Sequence, residues 1–348
     1  MTSGHDVADA RIHRIATALQ RQGARVELLG LGSPANAPAD VQVWTWRRPG
    51  VLGRLKLANT VAQRAHGGVL LAIDPDSLIA ARVWGTLRNR PVVADVHEDY
   101  TSLVRDRQWA RGPAAVAARI LVGLANRAAA GAALTLVADD HVPPRRARTR
   151  LVVRNLADPH LVGSRGSRDP SPRAVYIGDV RASRGVFDML TAIAGAPGWT
   201  LDVIGPIAAA DQAAIDMRLG DADLRNRVRF HGRLAPIASW QMARGAWVGF
   251  ALLHDTPAFH DAVPSKVYEY LHAGIIPIVS DLPRQRRVAV DGGGVVVDGP
   301  QSAAEAMSRI TADPSAFFDA LRADMPPYAD GEASYDEAAA KIVAVAHG

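Results

Sequence analysis

The sequence predicts an α/β protein made of two Rossmann-like, doubly wound domains. Three observations carry this. Helical and strand patterns alternate from end to end, as parallel sheets with crossover helices require. The 348 residues suit two domains at ~100–200 residues each, and 48% hydrophobic residues suffice for two cores. Finally, a stretch rich in Gly, Ser, Pro and charge, 156–171, separates two such runs and reads as a linker. The expected division is 1–155, the linker, 172–330, and a last helix in 331–348 that could pack back on the first domain.

In the first domain, Val7 to Gln22 puts Ile12, Ile15, Ala16 and Leu19 on one helical face; Gly23 stops the helix and Arg25 to Leu29 follows as a strand. A doubly wound domain usually opens on a strand, and only Met1 to Ser3 precede Gly4-His5-Asp6, so the first strand is absent or very short. Val41 to Thr45 reads as a strand and Leu52 to Gln63 as a helix. From the end of the strand into the helix, Trp46 stands beside Arg47, Arg48, Arg54 and Lys56, with Trp44 on the strand itself. Such a cluster suits an anionic bilayer surface, with aromatic rings among headgroups and cations on the phosphates. The alternative is a basic loop whose apolar residues pack inward.

Strands at Gly68 to Asp74 and Pro91 to Val96 flank a helix from Ser77 to Leu87. The second strand delivers Asp95-Val96-His97-Glu98 to its C-terminal end, the edge where open α/β sheets bind ligands, so His97 is placed to touch substrate or else to cap the next helix. A metal reading of this cluster fails because no second histidine stands at a coordinating interval. A helix over Arg111 to Ala130 and strands at Ala133 to Ala138 and Arg150 to Val153 complete the domain.

The second domain opens with the strand Ala174 to Gly178, the loop Asp179 to Gly185 and a helix from Val186 to Ala194. Thr200 to Ile204 is a strand ending at Gly205. Helices at Gln212 to Leu219 and Ile237 to Ala243 alternate with strands at Val228 to His231 and Trp247 to Leu252. Next comes Asp261-Ala-Val-Pro-Ser-Lys-Val-Tyr-Glu-Tyr-Leu-His-Ala-Gly274, then the apolar run Ile275 to Val279 and Ser280-Asp281. Pro264 suits a first helical turn and Gly274 a helix stop. The helix start offers free amides and the positive end of a dipole; Lys266 adds a charge and Glu269 follows on the same side. That combination fits a nucleoside diphosphate beside its ribose. A strand at Gly294 to Val297 and helices at Ser302 to Thr311 and Ser334 to Val345 end the chain.

The run Pro264-Ser-Lys-Val-Tyr-Glu-Tyr-Leu-His-Ala-Gly-Ile-Ile-Pro-Ile-Val-Ser-Asp281 resembles the signature of retaining glycosyltransferases of family four, the group 1 type. The resemblance implies a GT-B fold with two Rossmann-like domains facing a central cleft, and metal-independent sugar transfer with retention. It implies that Lys266, Ser265 and Glu269 bind the nucleotide sugar, and that Asp261, standing where the family usually has Glu, acts at the sugar. Asp179-Val-Arg-Ala-Ser-Arg184-Gly resembles the family's Gly-Arg-x-x-x-x-Lys-Gly element. Arg184 then takes the diphosphate, with Gly178 and Gly205 nearby, while Asp179 departs from the usual Arg. Asp95-Val-His97-Glu resembles the family's Asp-x-His-Glu, implying that His97 contacts the transferred sugar. Gly4, His5 and Asp6 would lie on the acceptor side.

The resemblance implies a nucleotide-sugar donor, a glycan, lipid-linked or small-molecule acceptor, and no further cofactor. A sugar-nucleotide epimerase of the same fold, or a non-catalytic sugar-nucleotide-binding protein, stays open beside it. With no cysteine, thiolate catalysis and Cys-bound zinc are excluded. Residues 1–155 carry a net +10 and 156–348 a net −5, so the first half is the one to meet an anionic surface. No nucleic-acid-binding motif accompanies that charge, and none is expected as a partner. The absence of a long apolar run and of a signal-peptide pattern leads to an expectation of cytoplasmic residence, peripheral to the membrane if the acceptor is lipid-linked.

Overall fold

The computed structural model describes residues 1–101, 104, 113–322 and 333–347. Residues 111 and 112, read as a helix start, and the 330/331 boundary lie outside them. The chain forms two compact units, Met1–Asn155 with Pro327–Gly348, and Leu156–Pro326.

In the first unit β1 (Glu27–Leu31) pairs with β2 (Gln42–Trp46), while β3 (Leu70–Ala72), β4 (Val92–Val96), β5 (Leu134–Val137) and β6 (Arg150–Val152) form a second run, all parallel. Met1 and Thr2 lie between the two runs. The Thr2 N–H donates to the Leu29 carbonyl at 2.9 Å, and the Met1 carbonyl accepts from the Ile73 N–H at 3.3 Å. The start of the chain therefore bridges the two runs through backbone hydrogen bonds without forming a strand of its own. Helix α1 (Ala10–Arg21), capped by the Asp9 carboxylate, covers one face of the sheet with the last helix, Tyr335–His347; α2 (Val51–Arg64), α3 (Pro75–Leu87) and α4 (Pro113–Ala130) cover the other. Strand alternation explains the division, because Val93 faces the first group while Val92 and Ala94 face the second.

The second unit has one six-stranded parallel sheet: β7 (Arg173–Ile177), β8 (Thr200–Ile204), β9 (Val228–Gly232), β10 (Val248–Ala251), β11 (Ile276–Ser280) and β12 (Val295–Val297). Their spatial order, β12-β11-β10-β7-β8-β9, is the doubly wound order with its reversal between β7 and β10. The segment read as a linker is not featureless. It carries α5 (Pro159–Val162), capped by Asp158, with Leu161 and Val162 buried in this unit. The other helices are α6 (Val186–Ala194), α7 (Ala209–Arg218), α8 (Ala222–Arg227), α9 (Pro236–Ala243), α10 (Ser265–Ala273), α11 (Pro283–Asp291), α12 (Pro300–Ala312) and α13 (Pro314–Ala320). Val175 packs toward α5, α9 and α10, and its neighbour Tyr176 toward α6 and α12.

Candidate active site

The crevice above the C-terminal ends of β7 and β10 is where a doubly wound sheet takes its ligand. Gly178 follows β7 with φ +138° and Gly205 follows β8 with φ +153°, conformations that side chains resist. A Cβ on Gly205 would overlap the Gly178 carbonyl, and one on Gly178 would lie 2.9 Å from Lys266 Nζ. Glycine at both places lets the strand ends and the ammonium come together.

No side chain caps the start of α10, so its first amides remain available to an anion. Lys266 and Glu269, on its inward side, are 6% and 5% exposed. Lys266 Nζ sits 3.7 Å from the centroid of the Tyr176 ring, and the Ser265 hydroxyl is 3.4 Å from the Glu269 carboxylate. Burial first, then the Arg184 charge, push the Lys266 ammonium well below the usual lysine range, against the pull of Glu269 and Asp179. The Tyr176 hydroxyl donates to the Asp179 carbonyl at 2.7 Å, and burial raises its pKa to about 12.

Arg184 ends a single helical turn, Ala182–Arg184, and its guanidinium lies 5.5 Å from the Phe259 ring. Asp179, in place of the expected Arg, is met by Arg181 at 3.4 Å and Arg233 at 3.3 Å. Three arginines and Lys266 thus gather near the carboxylates of Asp179, Glu269 and Asp211, the last accepting from the Ala182 N–H at 3.1 Å, and the excess of cations favours an anion. Asp261 stands exposed in the turn before α10, its carbonyl accepting from Arg284 at 3.2 Å. Asp281 is paired with Arg286.

In the first unit the same kind of edge holds Gly4, His5, Asp6 and His97. The start of the chain is pinned there: the Thr2 hydroxyl and the Ser3 and Gly4 amides all donate to the Asp74 carboxylate, and the Ser3 hydroxyl reaches Asp76 at 2.6 Å. The Asp6 carboxylate accepts from the Ala8 N–H at 3.0 Å and lies against Gly32. The rings of His5 and His97 meet edge to face, 4.6 Å apart. Burial opposes a charge on His5, yet the hydrogen bond and charge of Asp9 at 3.4 Å, helped by Asp74 and Glu98, carry its pKa up to about 9. Burial and the neighbouring His5 charge lower that of His97. An imidazolium therefore stands beside a neutral imidazole.

Asp95 is buried against Arg11, whose Nη2 lies 2.6 Å away and whose guanidinium also reaches the Val153 carbonyl, Asn155 and Tyr335. One reading needs correction. Arg54 is committed to the buried Asp76 at 2.7 Å, and Trp46 packs toward the core, which leaves Arg47, Arg48 and Lys56 as the exposed cations of that segment. Sequence reasoning missed Tyr176, Arg233 and the Thr2–Ser3–Asp74 lock. For the last, Asp74-Pro75-Asp76-Ser77 offered a signal, an Asp cap followed by Pro at a helix start.

Residues 161–330 match the family model described as Glycosyl transferases group 1. The match covers most of the second unit and a little under half of the chain. A GDP-mannose:cellobiosyl-diphosphopolyprenol alpha-mannosyltransferase of Xanthomonas campestris is 28% identical over 193 residues, covering 52% of this chain and 47% of that protein. The chain thus spans about half the length of that relative. Among solved structures, Anabaena HepE in complex with UDP and glucose superposes with a TM-score of 0.63 at 18% identity, covering 100% of this chain and 96% of that one. Sucrose-phosphate synthase from Thermosynechococcus elongatus gives 0.64 at 14% identity, covering 97% and 90%. WaaG, a glycosyltransferase involved in lipopolysaccharide biosynthesis, gives 0.60 at 16%, covering 94% of each. These likenesses establish the fold, α/β with parallel sheets and similar to GT-B glycosyltransferases.

Proposed function

We propose that the protein is a glycosyltransferase that moves a sugar from a nucleotide-sugar donor to an acceptor, with retention of anomeric configuration and without a metal ion. The acceptor is a glycan, a lipid-linked glycan or a small molecule in cell-envelope glycan synthesis. The observation that carries this reading is the buried Lys266 at the uncapped start of α10, beside Arg184 and above Gly178 and Gly205. A buried ammonium disfavoured by its surroundings is best compensated by a bound anion, and a diphosphate supplies one.

As the bond from the anomeric carbon to the phosphate oxygen breaks, positive charge grows on the sugar ring and negative charge on the diphosphate. Arg184, Lys266 and the α10 amides stabilise the departing oxygen, each well-placed donor contributing ~3–4 kcal/mol by analogy with oxyanion sites. The acceptor oxygen attacks the same face of the sugar and its proton passes to the leaving phosphate. Glu269 accepts the ribose hydroxyls, and Asp261 lies beside the cationic sugar. Glu269→Ala then weakens nucleotide binding by ~1–3 kcal/mol, while Asp261→Asn spares binding and lowers turnover.

The test is thermal stabilisation by GDP, UDP, ADP and TDP, with and without EDTA. The name of the Xanthomonas campestris relative puts GDP and GDP-mannose first. A ligand at 100 times its dissociation constant stabilises by ~2.7 kcal/mol, and the shift should survive EDTA. Stabilisation by none of the four would sink the donor-site reading. Strict dependence on Mg²⁺ or Mn²⁺ would overturn metal independence.

A further inference from the structure

Helix α4 carries Val116, Ile120 and Leu124 at intervals of four, hence on one face, and they are 54%, 59% and 50% exposed. Helix α3 packs beside it and adds Val83 and Leu87, also exposed and four apart. The stripe is set among cations. Arg119 and Arg127 are exposed on α4, which contains no Asp or Glu, and Asp76, the one acid of α3, is buried against Arg54. At the end of α4 the Ala130 carbonyl accepts from the Arg148 N–H at 2.9 Å, attaching a loop on which Arg145, Arg146 and Arg148 are exposed.

From this we infer that the α3–α4 face of the first unit docks on an anionic lipid bilayer. Charge complementarity selects that occupant. A second copy of the chain would bring the same arginines against one another across a two-fold contact. A phosphodiester backbone would satisfy the arginines and leave five aliphatic side chains in water. A leaflet of acidic lipid takes both, with the aliphatics at the boundary of headgroup and acyl chain and the guanidinium groups on the phosphates. The helices cover a face of the sheet, whereas His5 and His97 lie at its C-terminal edge, so docking leaves that edge open. The segment from Trp44 to Lys56 is then secondary. The inference does not rest on the donor site and can fail without it.

The experiment is co-flotation of the full-length protein with vesicles of phosphatidylcholine alone or mixed with phosphatidylglycerol, at low and high salt. Binding should require phosphatidylglycerol. Arg119→Ser with Arg127→Ser should weaken it roughly 30-fold, the order expected for two cations near an anionic surface. Ile120→Ser with Leu124→Ser should abolish the part that persists at high salt, and Arg47→Ser with Arg48→Ser should change binding much less. Unchanged circular dichroism and nucleotide binding would show that these surface variants are folded. Equal recovery with both vesicle types, or loss of binding only in the Arg47/Arg48 variant, would overturn the proposal. So would a dimer in sedimentation equilibrium that Ile120→Ser with Leu124→Ser splits, since that face would then join two copies.

Discussion

Lys266 holds a charge that its surroundings oppose, and the opposition has a sign that can be measured. Its pKa in the folded chain lies below the unfolded value, so the charge costs stability in full below the folded value, and the cost fades across the interval where the unfolded state binds more protons, disappearing as pH rises through the unfolded value. Lys266→Met should therefore leave the ligand-free protein as stable or more so, while removing stabilisation by a nucleoside diphosphate. Loss of stability in the ligand-free variant, read by thermal melting, would contradict this. His5 behaves oppositely. Its pKa is raised to about 9, so its stabilising contribution is full below the unfolded value of ~6.5 and disappears as pH rises through about 9. His5→Gln should be less stable than the parent at about pH 6, and the gap should close by about pH 10. A constant gap would mean that the ring acts by packing alone.

Among elements, the contact that ties β4, α1 and the last helix together is ionic. Arg11 and Asp95 are both buried, and the Arg11 guanidinium reaches Tyr335 on the last helix at 3.1 Å, where the Tyr335 hydroxyl donates to Asn155 at 2.7 Å. Asp95→Ala leaves that guanidinium buried and unpaired, and should cost ~3–5 kcal/mol in a urea titration. A loss under 1 kcal/mol, about what an exposed pair contributes, would show that the charge is solvated. Here the limits of the sequence are plain. Elements with strong apolar periodicity were legible: α6 and β8 have the bounds read from the pattern, and the parallel α/β fold follows from their alternation. The helices α5, α8 and α13 were not, because each has seven residues or fewer and starts from an Asp cap rather than an apolar stripe. Helix α11 was missed because of its charge density; only Gln285 and Ala289 are buried. In the candidate site Lys266 and Glu269 could be named from their places on the helix, and Arg184, Gly178 and Asp261 from the resemblance to the family's motifs. Their neighbours could not, since nothing in the order of residues says that Tyr176 lies under Lys266 or that Arg233 meets Asp179.

For the whole molecule, the distribution of core and ligand makes one more expectation. The hydrophobic clusters around Val61 and Val93 belong to the first unit, and those around Phe250, Tyr270 and Val267 to the second. Each unit has its own sheet and apolar core, which is the condition for unfolding as a separate cooperative step. The proposed diphosphate site draws Gly178, Arg184, Gly205, Lys266 and Glu269 from the second unit alone. Scanning calorimetry should therefore resolve two transitions. A nucleoside diphosphate at 100 times its dissociation constant adds ~2.7 kcal/mol to one of them, a rise of roughly 5–10 °C for a unit of this size, and leaves the other nearly in place. Amide hydrogen exchange assigns the shifted transition, with protection expected at the loops after β7 and β8 and in the first turn of α10. A rise confined to the transition of the first unit would move the nucleotide to the His5–His97 edge and overturn the assignment of the donor to Lys266.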